Sequence, residues 1–242
     1  MKPALVIFDC DGVLVNSEPI ANRILAETLT REGYPCTFAE SVLRFVGLDL
    51  PAIIHQVERE LGQKLSNGFY ERLRADTDAA FCKHLKPVPG INAALDRILS
   101  PKCVASSGPP EKIKLSLDLA GLRHHFGEAL FSAHQVPRGK PHPDLFLHAA
   151  HHFNVHPGEC VVVEDSLPGV VGANAAGMAV LGYAGGDHVP PGHAKCLTQA
   201  GAEPFFKMDV LPSLLEKFSS ESIRGEFTKP TRFNLKPKIE SR

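Results

Sequence analysis

The chain has 242 residues, 43% of them hydrophobic and 22% charged, with 26 basic against 27 acidic side chains and a formal net charge of -1. That supports one sizeable core, or a core with a small insert, and its even charge does not point to nucleic acid or an acidic membrane as partner. Met1-Lys2-Pro3 runs straight into the first strand pattern without a leader-like or membrane-spanning run, and the six scattered cysteines contain no CxxC pair, so they read as reduced residues of a cytoplasmic protein.

Ala4-Leu5-Val6-Ile7-Phe8 is a continuous apolar run and predicts a buried strand over about residues 4–9. Asp9 and Asp11 stand where that strand ends. A helical pattern covers about 19–32, with Ile20, Ile24, Leu25 and Leu29 on one face and Gly33 to stop it. Further helical patterns cover about 39–46, 50–61 and 66–83 with no strong strand signal, so residues 16–86 are expected to form an all-helical insert. Lys86-Pro87-Val88-Pro89-Gly90 is the rigid connector that closes it.

Beyond the connector the pattern alternates. Helices are expected at about 90–99, 110–120, 143–153, 167–176 and 210–218. Strands are expected at about 102–106, 129–131, 160–163 and 179–183, with a short edge strand at 204–206. Strands separated by helices predict a mostly parallel sheet covered on both faces, with ligands beyond the carboxyl ends of the strands. The expected core is therefore residues 1–15 and 87–218. Residues 219–242 have little periodicity and read as a loosely ordered tail.

Four places contribute polar groups at predicted strand ends: Asp9 with Asp11, Ser106 with Ser107, Lys140, and Glu164 with Asp165. Taken singly, each has a plain structural explanation; Glu164-Asp165-Ser166, for example, also suits a helix cap. Taken together they form an oxygen-rich cage of the kind Mg²⁺ prefers, with Asp9, Asp165 and the main-chain carbonyl of Asp11 as ligands and Glu164 reaching the ion through water. Lys140 is the one base expected nearby. With Ser106, Ser107 and the amides of a helix opening at Gly108-Pro109-Pro110, it would cradle a phosphate. The chemistry implied is attack by Asp9 on phosphorus, with Asp11 protonating the leaving alcohol and then activating water. The paired histidines His124-His125, and the group His148, His151 and His152, read as surface or helix-end residues rather than metal ligands.

The motifs Asp9-Cys10-Asp11-Gly12-Val13-Leu14-Val15-Asn16-Ser17, Ser106 after Val104-Ala105, Lys140 in Gly139-Lys140-Pro141-His142, and Val163-Glu164-Asp165-Ser166 occur in this order. In that set the chain resembles the haloacid dehalogenase superfamily over about residues 4–218. It is most similar to the branch holding beta-phosphoglucomutases, phosphoglycolate phosphatases and bacterial sugar-phosphate or 6-phosphogluconate phosphatases. The resemblance implies a Rossmann-like three-layer α/β core with a helical cap after the first strand. It also implies Mg²⁺ as cofactor, a small phosphorylated metabolite as partner, Asp9 as nucleophile, Asp11 as acid and base, Ser106 and Lys140 on phosphate, and Asp165 with Glu164 at the metal.

The mutase pattern carries a histidine where this chain has Ala21, and a cap arginine where it reads Gly47-Leu48-Asp49; both departures favour water as the final acceptor. From position alone Glu18, Asn22, Arg44, Gly47 and Lys83 are expected at the leaving group, and they suggest a hydroxylated metabolite. A binding protein with an inactive site is the reading outside enzymology, and the intact acidic set speaks against it. Monomer and homodimer stay equally open.

Overall fold

The computed structural model describes residues 2–45, 48, 50–186 and 189–218. The tail expected at 219–242, and Gly47 and Asp49 of the insert, lie outside the described residues.

The first strand, β1 (Leu5–Phe8), is followed by four helices: α1 (Glu18–Arg31), α2 (Phe38–Phe45), α3 (Leu50–Leu61) and α4 (Phe69–His84). The alternating part then begins, with α5 (Ile91–Arg97), β2 (Lys102–Ser106), α6 (Pro110–Leu119) and β3 (Leu130–Ser132). It continues through α7 (Asp144–His152), β4 (Cys160–Glu164), α8 (Leu167–Ala175) and β5 (Ala179–Tyr183). The described chain ends with α9 (His193–Gln199), β6 (Glu203–Phe205) and α10 (Leu211–Glu216).

All strand pairs are parallel, in the order β3-β2-β1-β4-β5-β6. Successive side chains of a strand leave opposite faces of the sheet. Val6 and Phe8 of β1 accordingly join Val161 and Val163 of β4 in one core, against Ile91 and Leu95 of α5 and Leu117 of α6. Leu5 and Ile7 enter the other, with Cys160, Val162, Phe146 of α7 and Val170 of α8. The result is a three-layer α/β sandwich of Rossmann type. Strands buried on both faces explain why they read as unbroken apolar runs rather than as alternating ones.

The order reverses at β1: the chain builds outward to β3 on one side, then crosses to β4 and builds outward again. The carboxyl ends at that reversal are where an open parallel sheet leaves a crevice.

Helices α1 to α4 have a hydrophobic cluster of their own, centred on Leu29, Phe45, Ile53, Val57 and Leu73. The two connecting segments run side by side. Val15 bridges Pro87, the Asn16 amide donates to the Lys86 carbonyl (2.9 Å), and the Val88 amide donates to that of Leu14 (2.9 Å).

Two details differ from the sequence expectation. Helix α4 begins at Phe69 rather than near 66, because the amide and hydroxyl of Ser66 are both held by the Glu32 carboxylate (2.9 and 2.6 Å). Helix α9 was not expected; it has one buried residue, Leu197, and so no apolar period to betray it. All six cysteines are free thiols, with Cys10, Cys103 and Cys160 buried. Among the described residues no helix is long and apolar enough to cross a membrane.

Candidate active site

Asp9 is the first residue past β1, and its amide donates to the Val163 carbonyl (2.9 Å), which prolongs the β1–β4 ladder by one bond. Glu164 is the last residue of β4 and fully buried. Parallel register therefore sets the two carboxylates side by side. Lys140 arrives from the segment between β3 and α7 and lies between them, with Nζ donating to Asp9 Oδ1 (2.5 Å) and Glu164 Oε1 (2.6 Å). Burial alone would drive that ammonium toward neutrality, but the two carboxylates outweigh it and hold it charged.

Asp165 follows Glu164. One donor oxygen each from Asp9, Glu164 and Asp165 lie within 4.8 Å of one another. Burial pushes the Asp9 carboxyl well above its usual range; Lys140 opposes this, while the charges of Glu164 and Asp165 add to it. Asp165 is raised by burial and then by the Glu164 and Glu18 charges. Three buried carboxylates around one ammonium are short of positive charge, and the donors are all oxygen. That set fits a hard divalent cation such as Mg²⁺.

Glu164 is the most heavily held of the three. Its Oε2 accepts from the Asp165 amide (2.9 Å), the Ser166 amide (2.8 Å) and the Ser166 hydroxyl (2.9 Å). Ser166 Oγ in turn accepts from the Gly169 amide (3.2 Å) and caps α8, so one turn serves both as helix start and as frame for the site. Two glycines leave the room this requires. A Cβ on Gly12, whose φ is +80°, would lie 1.9 Å from Asp165 Oδ2, and a Cβ on Gly169 would lie 1.7 Å from Glu164 Oε1.

Asp11 is held differently. Ser17 Oγ donates to its Oδ1 (2.6 Å) and Lys112 Nζ to its Oδ2 (2.9 Å). Ser17 sits at the N-cap of α1 but makes no side-chain cap there; its hydroxyl serves Asp11 instead. Burial would raise the Asp11 carboxyl, yet the Lys112 charge and these hydrogen bonds outweigh it and bring it below the usual value. Lys140 is thus not the sole base at the site, as the sequence had suggested. The signal for Lys112 was present: Pro109-Pro110 opens α6, which puts residue 112 in its first turn.

Ser106, the last residue of β2, is buried, and its Oγ accepts from the Gly108 amide (3.1 Å). The Gly108 carbonyl accepts from Ser132 Oγ (2.7 Å) at the end of β3, a contact the sequence reading missed. His193 of the unexpected helix α9 donates from Nε2 to the Asp165 carbonyl (2.6 Å).

A cleft of about 970 Å³ opens over these groups, with Asp9, Asp11, Ser106, Ser107, Lys140 and Asp165 on its floor. Of the residues expected at the leaving group, Glu18 and Asn22 line it. The Asn22 amide, however, is engaged with Glu18 (3.2 Å) and accepts from the Ser41 hydroxyl (3.1 Å). Arg44 is a correction. It lies outside the cleft, where its guanidinium grips the Glu60 carboxylate (2.8 and 2.6 Å) and packs over the rings of Tyr34 and Phe45. Lys83 is exposed and away from the lining, and Gly47 is outside the described residues.

The histidines are as expected in part. His148 and His152 are exposed and stand edge-on to Phe131 (5.4 and 5.1 Å between centroids). Against expectation, donor atoms of Asp96, His124 and His125 also gather within 4.8 Å of one another, mostly exposed and removed from the cleft.

The haloacid dehalogenase-like hydrolase family model matches residues 3–177. Over 211 residues the chain is 35% identical to the 6-phosphogluconate phosphatase of Escherichia coli K12, covering 86% of this chain and 93% of the relative. Its fold superposes with a TM-score of 0.82 on a conserved haloacid dehalogenase-like protein of unknown function from Agrobacterium tumefaciens, at 40% identity and covering 88% and 97% of the two chains. A haloacid dehalogenase family hydrolase from Deinococcus radiodurans, solved with bound phosphate and sodium, gives 0.76 at 28% identity, covering 89% and 96%. With the family model spanning most of the chain and the site motifs gathered at the strand ends, the chain belongs to the haloacid dehalogenase-like hydrolases.

Proposed function

We propose that the chain is a phosphatase that hydrolyses a small phosphate monoester of sugar-phosphate type through an aspartyl-phosphate on Asp9. The observation that carries this is the placement of Asp9 at the end of β1, on the cleft floor, with Lys140 against one of its oxygens. The phosphatase named above and the neighbour solved with phosphate support the same chemistry.

The second Asp9 oxygen attacks phosphorus while the bond from phosphorus to the leaving oxygen breaks, and Asp11 delivers a proton to that oxygen. Water then attacks the aspartyl-phosphate, Asp11 takes its proton, and the bond to Asp9 breaks to release phosphate. The Lys140 ammonium has three N–H donors and uses two on carboxylates, so the third remains for a phosphate oxygen, beside Ser106 and Ser107. Asp9, Asp165 and the Asp11 carbonyl would hold Mg²⁺, with Glu164 supporting it; bound there, the ion neutralises phosphate oxygens and the excess carboxylate charge. With its pairing to Lys112 and Ser17 intact, Asp11 is a base, the state suited to activating water. Protonating the leaving oxygen requires it first to let go of Lys112.

Residues 16–86 act as a cap on a core made of residues 1–15 and 87–218, and the paired connectors at 14–16 and 86–88 are the hinge. Closure over the cleft would exclude water from the reacting groups. Ala21 on the cleft wall offers no imidazole to a bound sugar phosphate, which favours water as the acceptor.

Asp9→Asn tests the reading. Phosphate release from a panel of monoesters is expected to fall by more than about 10²-fold, with loss of the phosphoenzyme. Release at the wild-type rate would exclude Asp9 as nucleophile.

A further inference from the structure

The cleft is unevenly furnished, and the unevenness bears on the part of the substrate that leaves. Its floor holds the phosphate chemistry. The wall contributed by α1 to α4 and the α2–α3 segment is apolar, formed by Leu25, Phe45, Leu48, Leu50, Ile53 and Leu73. Polar exceptions are the Glu18 carboxylate, the Asn22 amide and the Thr77 hydroxyl. The Thr77 hydroxyl donates to the Leu73 carbonyl (2.7 Å), so toward a ligand it is an acceptor.

Among the described lining residues Lys140 is the only lysine or arginine, and its ammonium is shared between Asp9 and Glu164. Lys112 and Arg74 line the adjoining hollow, where Lys112 is bonded to Asp11 (2.9 Å) and Arg74 to Glu111 (3.1 Å). Arg44, one of the two cations expected at the leaving group, is turned to Glu60 outside the cleft.

Resting on the phosphatase reading above, we infer that the enzyme takes phosphate monoesters with an uncharged, hydroxyl-bearing leaving group and rejects those with a carboxylate or second phosphate there. A second anion would enter a space that already holds the carboxylates of Asp9 and Asp11, with no further lysine or arginine among the described lining residues, whereas hydroxyl donors find acceptors and carbon faces find an apolar wall. The preference is thus opposite to what the name of the 6-phosphogluconate phosphatase relative would carry over.

The test compares a matched pair on the full chain with Mg²⁺: a hexitol 6-phosphate and the aldonic acid 6-phosphate of the same carbon skeleton, with an aryl phosphate as a third substrate. The expected kcat/KM is at least tenfold higher for the hexitol ester. Thr77→Lys, which brings a cation to the wall, is expected to shift the ratio at least tenfold toward the acid. Equal or higher kcat/KM for the acid in the wild type overturns the inference while leaving the hydrolytic reading in place. A ratio unmoved in a Thr77→Lys protein that melts like wild type overturns the placement of the leaving group against that wall. Release of phosphate from none of the three substrates overturns the hydrolytic reading, and this inference with it.

Discussion

Asp9 and Asp11 are two residues apart and share one apolar strand end, yet their surroundings set them in different states. Asp9 is buried among carboxylates and its carboxyl is raised; Asp11 is half-buried against Lys112 and Ser17 and its carboxyl is lowered. For the proposed roles these directions are the reverse of what attack by Asp9 and protonation by Asp11 need, so Asp9 relies on Lys140 and a bound cation to stay ionised, while Lys112 keeps Asp11 a carboxylate for activating water. Lys112→Met should therefore lower phosphate release by about tenfold or more, within the range for a disturbed acid–base group, while the melting temperature changes little; unchanged kcat would remove Lys112 from the reaction.

Gly12 is a sharper case. Alanine there would be strained at a φ of +80° and would drive its methyl into the Asp165 carboxylate. Gly12→Ala is expected to cost about 1–3 kcal/mol in stability and to abolish turnover, checked by denaturant unfolding beside phosphate release. The acidic residues were legible in the sequence because they sit at strand ends, and Lys140, which lies in the segment between β3 and α7, because of its place in the order of the motifs. Ser132 and His193 were not, since no motif marks them and each acts through a contact that only folding creates; Lys112 was marked only as a first-turn residue of α6, not as the partner of Asp11.

The helices between β1 and α5 were legible as elements, and their packing explains why they need no sheet. Leu29 of α1 is fully buried in the cluster shared by all four helices. Leu29→Ala should destabilise the protein by about 2–5 kcal/mol, read from the midpoint of denaturant unfolding. Around this core a polar knot joins α2 and α3: the Tyr34 hydroxyl donates to Glu60 Oε2 (2.6 Å), and Arg44 and Gln56 donate to the same carboxylate.

These hydrogen bonds, from Tyr34 first, pull the Glu60 carboxyl from 4.5 to about 2. A folded-state value below the unfolded one means that the knot's contribution to stability is complete above pH 4.5 and fades as pH falls toward 2. The melting gap between wild type and Glu60→Gln is expected to be open at pH 6 and to close over that window; a gap independent of pH would show that the Glu60 charge contributes nothing. Arg44 looked like a substrate contact in sequence because it is a cation near the turn of the insert. Its partner lies 16 residues away, on the next helix but facing the same side, and spacing alone does not reveal which way an arginine turns.

At the level of the molecule, the parallel sheet collects carboxylates that would repel one another in isolation. Gathering Asp9, Glu164 and Asp165 costs stability unless cations are close, and Lys140 offsets part of that cost. A bound divalent cation would offset more. Mg²⁺ at a free concentration of about one hundred Kd should stabilise the protein by about 2.7 kcal/mol, a shift visible in thermal melts and absent in Asp165→Asn. Chelation should abolish phosphate release and added Mg²⁺ should restore it; full activity after exhaustive chelation would exclude the metal role.

Fold class was readable before any coordinates because strands buried on both faces must be apolar throughout, and helices between them force a parallel sheet. The acids of the candidate site were readable because they follow strands whose carboxyl ends meet at the crevice where the sheet order reverses. What folding alone settled is which charges meet. Lys140 finds Asp9 across 131 positions and Lys112 finds Asp11 across 101, while Arg44 turns from the cleft to Glu60. Such pairings depend on distances in space of a few ångströms, and a local pattern of hydrophobicity carries no record of them.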